Sequence, residues 1–97
     1  MSLAFAGGSH RTVPIELREK LAFSSEQATE ALARFQQQFP GSEAVLLSTC
    51  NRIELYAADE ERRGPPPPDE LAMFLAECRG VDPANVERVL GGEQGTA

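Results

Sequence analysis

Apolar positions along this chain recur with two different periods, and each change of period marks the end of an element. Ile53, Leu55 and Ala57 alternate with Glu54 and Tyr56, the period-two pattern of a half-buried strand, and Ala44 to Leu47 form a short apolar run just upstream. Between these two strands lies a polar corner, Ser48, Thr49, Cys50, Asn51 and Arg52. Leu3-Ala-Phe-Ala6 followed by Gly7-Gly8 reads as a first strand that ends where the backbone turns tightly or approaches a neighbour closely. Pro14 suits the first turn of a short helix over Pro14 to Leu21, because its missing N–H would be unpaired there anyway, and Glu16 and Glu19 sit near the positive end of that helix.

Period 3.6 takes over after Phe23. Ser24 is placed as N-cap with Gln27 three residues on, the capping-box spacing, and Ala28, Ala31, Leu32, Phe35 and Phe39 fall on one face of the helix that follows. Pro40-Gly41 stops it. Residues 59–68 close with four consecutive prolines, which can join neither a helix interior nor a sheet ladder, and read as an exposed connector. Asp69 is the expected N-cap of a third helix whose apolar face is Leu71, Phe74, Leu75 and Cys78, ended by Gly80. Asp82-Pro83 starts another helical turn, and Val86, Val89 and Leu90 continue that helix or form a short final strand. Residues 91–97 offer no side chain to anchor a core and are expected to be a flexible tail. The order is βαββαβ, which predicts an α+β domain over residues 1–90, ferredoxin-like, with helices on one face of an antiparallel sheet.

Length and composition narrow the function without choosing it. Ninety-seven residues make one domain, with no room for a second. No apolar run approaches a membrane span and the N-terminus lacks the pattern of a signal peptide, so two cysteines imply free thiols in a reducing compartment, expected to be the cytoplasm. Net charge is −6; residues 59–97 carry four Lys/Arg against nine Asp/Glu, and residues 1–58 five against six. A surface that holds nucleic acid through its phosphates needs a basic patch, and none is visible. One histidine and two cysteines cannot complete a four-coordinate zinc site, so no metal is expected.

Cys50 is the candidate for chemistry. A structural cysteine is normally flanked by apolar residues, whereas this one stands among hydroxyls, an amide and a guanidinium, where a thiolate is stabilised and reachable. The alternative is that Cys50 is the last inward position of a strand and that its neighbours satisfy a turn. His10, the single histidine, is either a structural residue holding the loop after Gly7-Gly8 or an acid/base. Cys78, on the apolar face of the third helix, reads as core.

Leu47-Ser-Thr-Cys-Asn-Arg-Ile-Glu-Leu-Tyr56, together with Ser9-His-Arg-Thr-Val-Pro-Ile-Glu-Leu-Arg-Glu19 upstream, resembles the N-terminal catalytic domain of glutamyl-tRNA reductase, and the two motifs in this order cover most of the chain. In that family the upstream loop usually reads Asn-His-Lys-Thr, so Ser9 and Arg11 are departures. The resemblance implies that Cys50 attacks glutamyl-tRNA to form a thioester, which NADPH reduces to glutamate-1-semialdehyde in tetrapyrrole (porphyrin and heme) biosynthesis. It further implies that Thr49, Asn51 and Arg52 line the glutamyl pocket, that this domain meets the aminoacyl end of the tRNA, and that the full-length enzyme is an NADP-dependent homodimer through domains absent here. The chain has no G-x-G-x-x-G and no room for a Rossmann unit, so it is expected to bind no NADPH and to reach the thioester at most. The alternative reading is a non-catalytic remnant acting as a binding or regulatory module; a thiol redox sensor is a third.

Overall fold

The structure, a computed structural model, describes residues 2–59, 64–87 and 89–96. Eight elements follow one another: β1 (Ser2–Ser9), α1 (Ile15–Leu21), α2 (Ser25–Gln38), β2 (Glu43–Ser48), β3 (Arg52–Asp59), α3 (Pro68–Arg79), α4 (Pro83–Glu87) and β4 (Gly91–Thr96). The strands form one sheet in the order β2-β3-β1-β4, and each neighbouring pair is antiparallel. This is an α+β domain.

Local chemistry sets the element ends. The Ser24 hydroxyl accepts from the Gln27 N–H at 3.1 Å while Gln27 Oε1 accepts from the Ser24 N–H at 2.9 Å, so the expected capping box closes in full. Gly80 takes a left-handed φ of +66° after α3, which lets the Val81 N–H reach back to the Ala76 carbonyl at 2.9 Å. The start of α3 differs from expectation: Pro67 is its N-cap and Pro68 its first residue, because proline is preorganised for that position.

Alternation along the strands divides the sheet into two unlike faces. Ala4 and Ala6 of β1 and Ile53, Leu55 and Ala57 of β3 point to one side, where Phe35 of α2, Leu71, Phe74 and Leu75 of α3, Leu21 of α1 and Val86 of α4 close the core. Leu3, Val45, Leu47 and Tyr56 point to the other side and are exposed.

Two elements correct the sequence reading. The connector is not exposed throughout: Pro65 and Pro66 are buried, and residues 64–67 line a cleft with Phe39, Ser42 and Asp59. Rigid apolar rings gain by leaving water even where they cannot join a ladder. Residues 60–63 lie outside the described part. The final strand is Gly91–Thr96, within the stretch expected to be a flexible tail, and of the two readings of Val86, Val89 and Leu90 the helical one holds, with the Leu90 N–H reaching the Val86 carbonyl at 3.0 Å. Strand β4 needs no anchoring side chain, because backbone pairing with β1 from Gly7↔Gly91 to Ser2↔Thr96 holds it. Gly92 is required there: a Cβ at that position would lie 2.4 Å from Pro68 Cβ and 2.9 Å from the Phe5 carbonyl oxygen.

Candidate functional site

Strands β2 and β3 are joined by three residues, Thr49, Cys50 and Asn51, and the corner is tied from four directions. The Thr49 N–H donates to the Arg52 carbonyl at 2.9 Å, closing the turn. The Thr49 hydroxyl oxygen accepts from the N–H groups of Asn51 and Arg52, each at 3.2 Å. The His10 N–H donates to the Asn51 carbonyl at 2.7 Å, so the loop after β1 is clasped to the corner. That loop is itself compact: the Thr12 and Val13 N–H groups both reach the Ser9 carbonyl, at 3.0 and 2.9 Å.

The fourth tie comes from Arg18 on α1. Its Nε–H donates to the Cys50 carbonyl at 3.3 Å and its Nη1–H to the Val13 carbonyl at 2.9 Å. One planar guanidinium therefore bridges the β1–α1 loop and the residue that carries the thiol. Sequence reasoning missed Arg18, since its partner lies 32 positions away and a charged residue on a short helix reads as solvated surface. Replacing Arg18 by Met removes both bonds while keeping the stem. The expected result is a loss of about 1 to 2 kcal/mol in urea unfolding and faster amide exchange at Cys50 to Arg52, read by NMR; unchanged exchange there would assign Arg18 to the Val13 loop alone.

Ser48 has another task than its place in the polar corner implies. Its hydroxyl accepts from the Phe23 N–H at 3.0 Å and joins the end of β2 to the entry of α2. The Arg52 guanidinium lies 3.7 Å from the Glu54 carboxylate on the side of the sheet away from the helices, with its side chain 52% exposed. Such a pair contributes little by itself and leaves the fork open to a better carboxylate. Cys50, Thr49, Asn51, Arg52 and His10 are all exposed.

Cys78 is the contrasting thiol. It packs half-buried against the core, and burial pushes its pKa up; Arg34 and Arg79 work against that shift and Glu77 adds to it. Iodoacetamide near pH 7.5 is accordingly expected to label Cys50 well before Cys78, as peptide mapping by mass spectrometry would read; labelling in the reverse order would overturn the assignment of Cys50 as the reachable thiol. Among the described residues no group of three or more His, Cys, Asp or Glu side chains is placed to hold a metal. No helix among them is long and apolar enough to cross a membrane.

The two motifs meet in one corner with the exposed cysteine at its tip. The family model described as Glutamyl-tRNAGlu reductase, N-terminal domain, matches residues 6–97. The chain belongs to the glutamyl-tRNA reductase family. It is 47% identical over 88 residues to the glutamyl-tRNA reductase of Rubrobacter xylanophilus, covering 91% of this chain and 20% of that protein. With the glutamyl-tRNA reductase of Marinobacter nauticus it shares 40% identity over 90 residues, 93% of this chain and 20% of the relative. Among solved structures, glutamyl-tRNA reductase from Methanopyrus kandleri superposes with a TM-score of 0.59 at 27% identity, over 96% of this chain and 19% of that one. The chain thus spans about a fifth of the length of these glutamyl-tRNA reductases.

Proposed function

We propose that this chain is the acylation domain of a glutamyl-tRNA reductase, that its βαββαβ order is the ferredoxin-like arrangement, and that Cys50 is its nucleophile. The observation that carries the reading is the exposed Cys50 at the tip of a corner fixed by Thr49, His10 and Arg18, inside a motif the family match covers. The Cys50 thiolate attacks the carbonyl carbon of the glutamyl ester, a sulfur–carbon bond forms, and the carbon–oxygen bond to the terminal ribose breaks. The ribose oxygen leaves with a proton from solvent or a neighbouring acid, and no electron is exchanged. Arg52 takes the glutamate side-chain carboxylate, exchanging its long contact with Glu54 for a bidentate one. The Thr49 hydroxyl, whose oxygen accepts from two backbone N–H groups, retains a proton to donate, and the Asn51 side-chain amide oxygen accepts from the substrate amino group. His10 enters through its backbone, with its imidazole on the solvent side of the same corner.

A dinucleotide does not fit this chain. Its strands pair antiparallel throughout the described sheet, with no parallel β-α-β unit whose glycine-rich turn meets a pyrophosphate. Reduction of the thioester to glutamate-1-semialdehyde with NADPH, and homodimer formation, fall to the four-fifths of the longer relatives that this chain does not span. Contact is restricted to the aminoacyl end of the tRNA, in agreement with a charge of −6, and the setting is cytoplasmic tetrapyrrole synthesis. Incubating the chain with glutamyl-tRNA and recording its intact mass tests the reading. The expected result is one added glutamyl group, released by hydroxylamine and mapped to Cys50; retention of the tRNA with no adduct would replace acylation by the binding-module reading.

A further inference from the structure

A peptide unit carries a donor and an acceptor on opposite edges of one plane, so a unit bonded on both edges cannot turn. Two consecutive units of the β2–β3 corner are held in this way. The unit joining Cys50 to Asn51 has its carbonyl on the Arg18 Nε–H at 3.3 Å and its N–H on the Thr49 hydroxyl oxygen at 3.2 Å. The unit joining Asn51 to Arg52 has its carbonyl on the His10 N–H at 2.7 Å and its N–H on the same hydroxyl oxygen at 3.2 Å. Ahead of them, the Thr49 N–H is committed to the Arg52 carbonyl at 2.9 Å.

The unit joining Thr49 to Cys50 is the exception. Among the described residues neither the Thr49 carbonyl nor the Cys50 N–H has a hydrogen-bond partner, although the units on both sides are tied. Its N–H sits on the same Cα as the exposed thiol. The N–H groups of Thr49, Asn51 and Arg52 are all taken, so an oxygen arriving beside the sulfur meets one uncommitted backbone donor of the corner. Every tie comes from residues 10–52 of this chain. Whatever else of a longer protein lies over the corner, a group that blocked this N–H would also crowd the sulfur of the same residue.

We infer that the Cys50 backbone N–H is the oxyanion donor for acyl transfer at this corner, an inference that rests on Cys50 being the thiol that is acylated. The thiolate pair forms the sulfur–carbon bond, the carbonyl π pair moves onto oxygen, and the N–H holds the resulting oxyanion until it re-forms the carbonyl and expels the ester oxygen. A nucleophile's own N–H is suited to this because attack brings the acyl oxygen beside it. Arg18, His10 and Thr49 are positioning residues: they fix the two units that follow Cys50, and with them the Cα that carries both donor and sulfur.

Two small reagents isolate the donor. p-Nitrophenyl acetate acetylates a thiol through an oxyanion, whereas iodoacetamide alkylates the same thiol with none at the attacked carbon, so the ratio of the two rates at Cys50, separated from Cys78 by peptide mapping, cancels thiolate fraction and access. The folded chain is expected to exceed a peptide of residues 47–53 in this ratio by about tenfold or more. A semisynthetic chain with an ester in place of the Thr49–Cys50 amide loses only the N–H, and since that unit makes no hydrogen bond its urea midpoint and alkylation rate should not move while the ratio returns to that of the peptide. Three results would overturn the inference: equal ratios in chain and peptide, an undiminished ratio in the ester analogue, or acetylation and alkylation falling there in equal proportion. Glutamyl-tRNA is not needed, so a raised ratio without a glutamyl adduct would sink the acylation reading alone, and an adduct with an unraised ratio would sink this inference alone.

Discussion

Cys50→Ser is expected to lose the glutamyl adduct, its rate falling by about a hundredfold or more, while the urea unfolding curve stays where it was. The argument has two parts. An alcohol is a far weaker nucleophile at neutral pH than a free thiol, a few per cent of which is already thiolate there. Cys50 is exposed, so the change of one atom removes no packing and leaves the corner tied by Thr49, His10 and Arg18. Arg52→Gln separates substrate binding from the thiol itself. Losing a charge-assisted bidentate bond to the glutamate carboxylate costs about 1.5 to 3 kcal/mol, or roughly ten- to hundredfold in acylation rate. Alkylation of Cys50 by the small neutral iodoacetamide should not change in Arg52→Gln. Persistence of the adduct in Cys50→Ser, or equal loss of both reactions in Arg52→Gln, would show that the corner works in another way.

The corner was legible because its signals are local. Ser24 and Gln27 announce a helix start three residues apart, Ile53 to Ala57 announce a strand by alternation, and the thiol sits between two such runs. What holds the corner was not legible. Arg18 reaches Cys50, the His10 N–H reaches Asn51 and Ser48 reaches Phe23, and each link joins residues at least 25 positions apart whose proximity only the packed fold creates. The position of β4 escaped for a related reason: a glycine-rich edge strand held by backbone bonds carries no apolar period to read. Pro65 and Pro66 were misjudged because proline chemistry excludes them from ladders and says nothing about burial.

Phe35→Ala is expected to be the most destabilising single change in the core. Phe35 is fully buried at 0% exposure and stands at the centre of an aromatic cluster, 4.9 Å from Phe39 and 5.3 Å edge-on from Phe74. Truncation removes the apolar area and leaves a cavity bounded by α2 and α3, which the rigid sheet beneath cannot collapse to fill. Phe→Ala changes of this kind cost about 3 to 5 kcal/mol, a large part of the roughly 5 to 15 kcal/mol that holds a small domain folded. At a urea slope near 1.5 kcal/mol/M the midpoint should fall by roughly 2 to 3 M. Phe39→Ala supplies the comparison, because Phe39 is only partly buried at the end of α2 and its space is open to solvent on one side. Equal losses from the two substitutions would place the centre of the core elsewhere than the meeting of α2 with α3. The corner that carries Cys50 stands on that core through Ile53 and Leu55, so Phe35→Ala should also slow acylation in proportion to the unfolded fraction and no further.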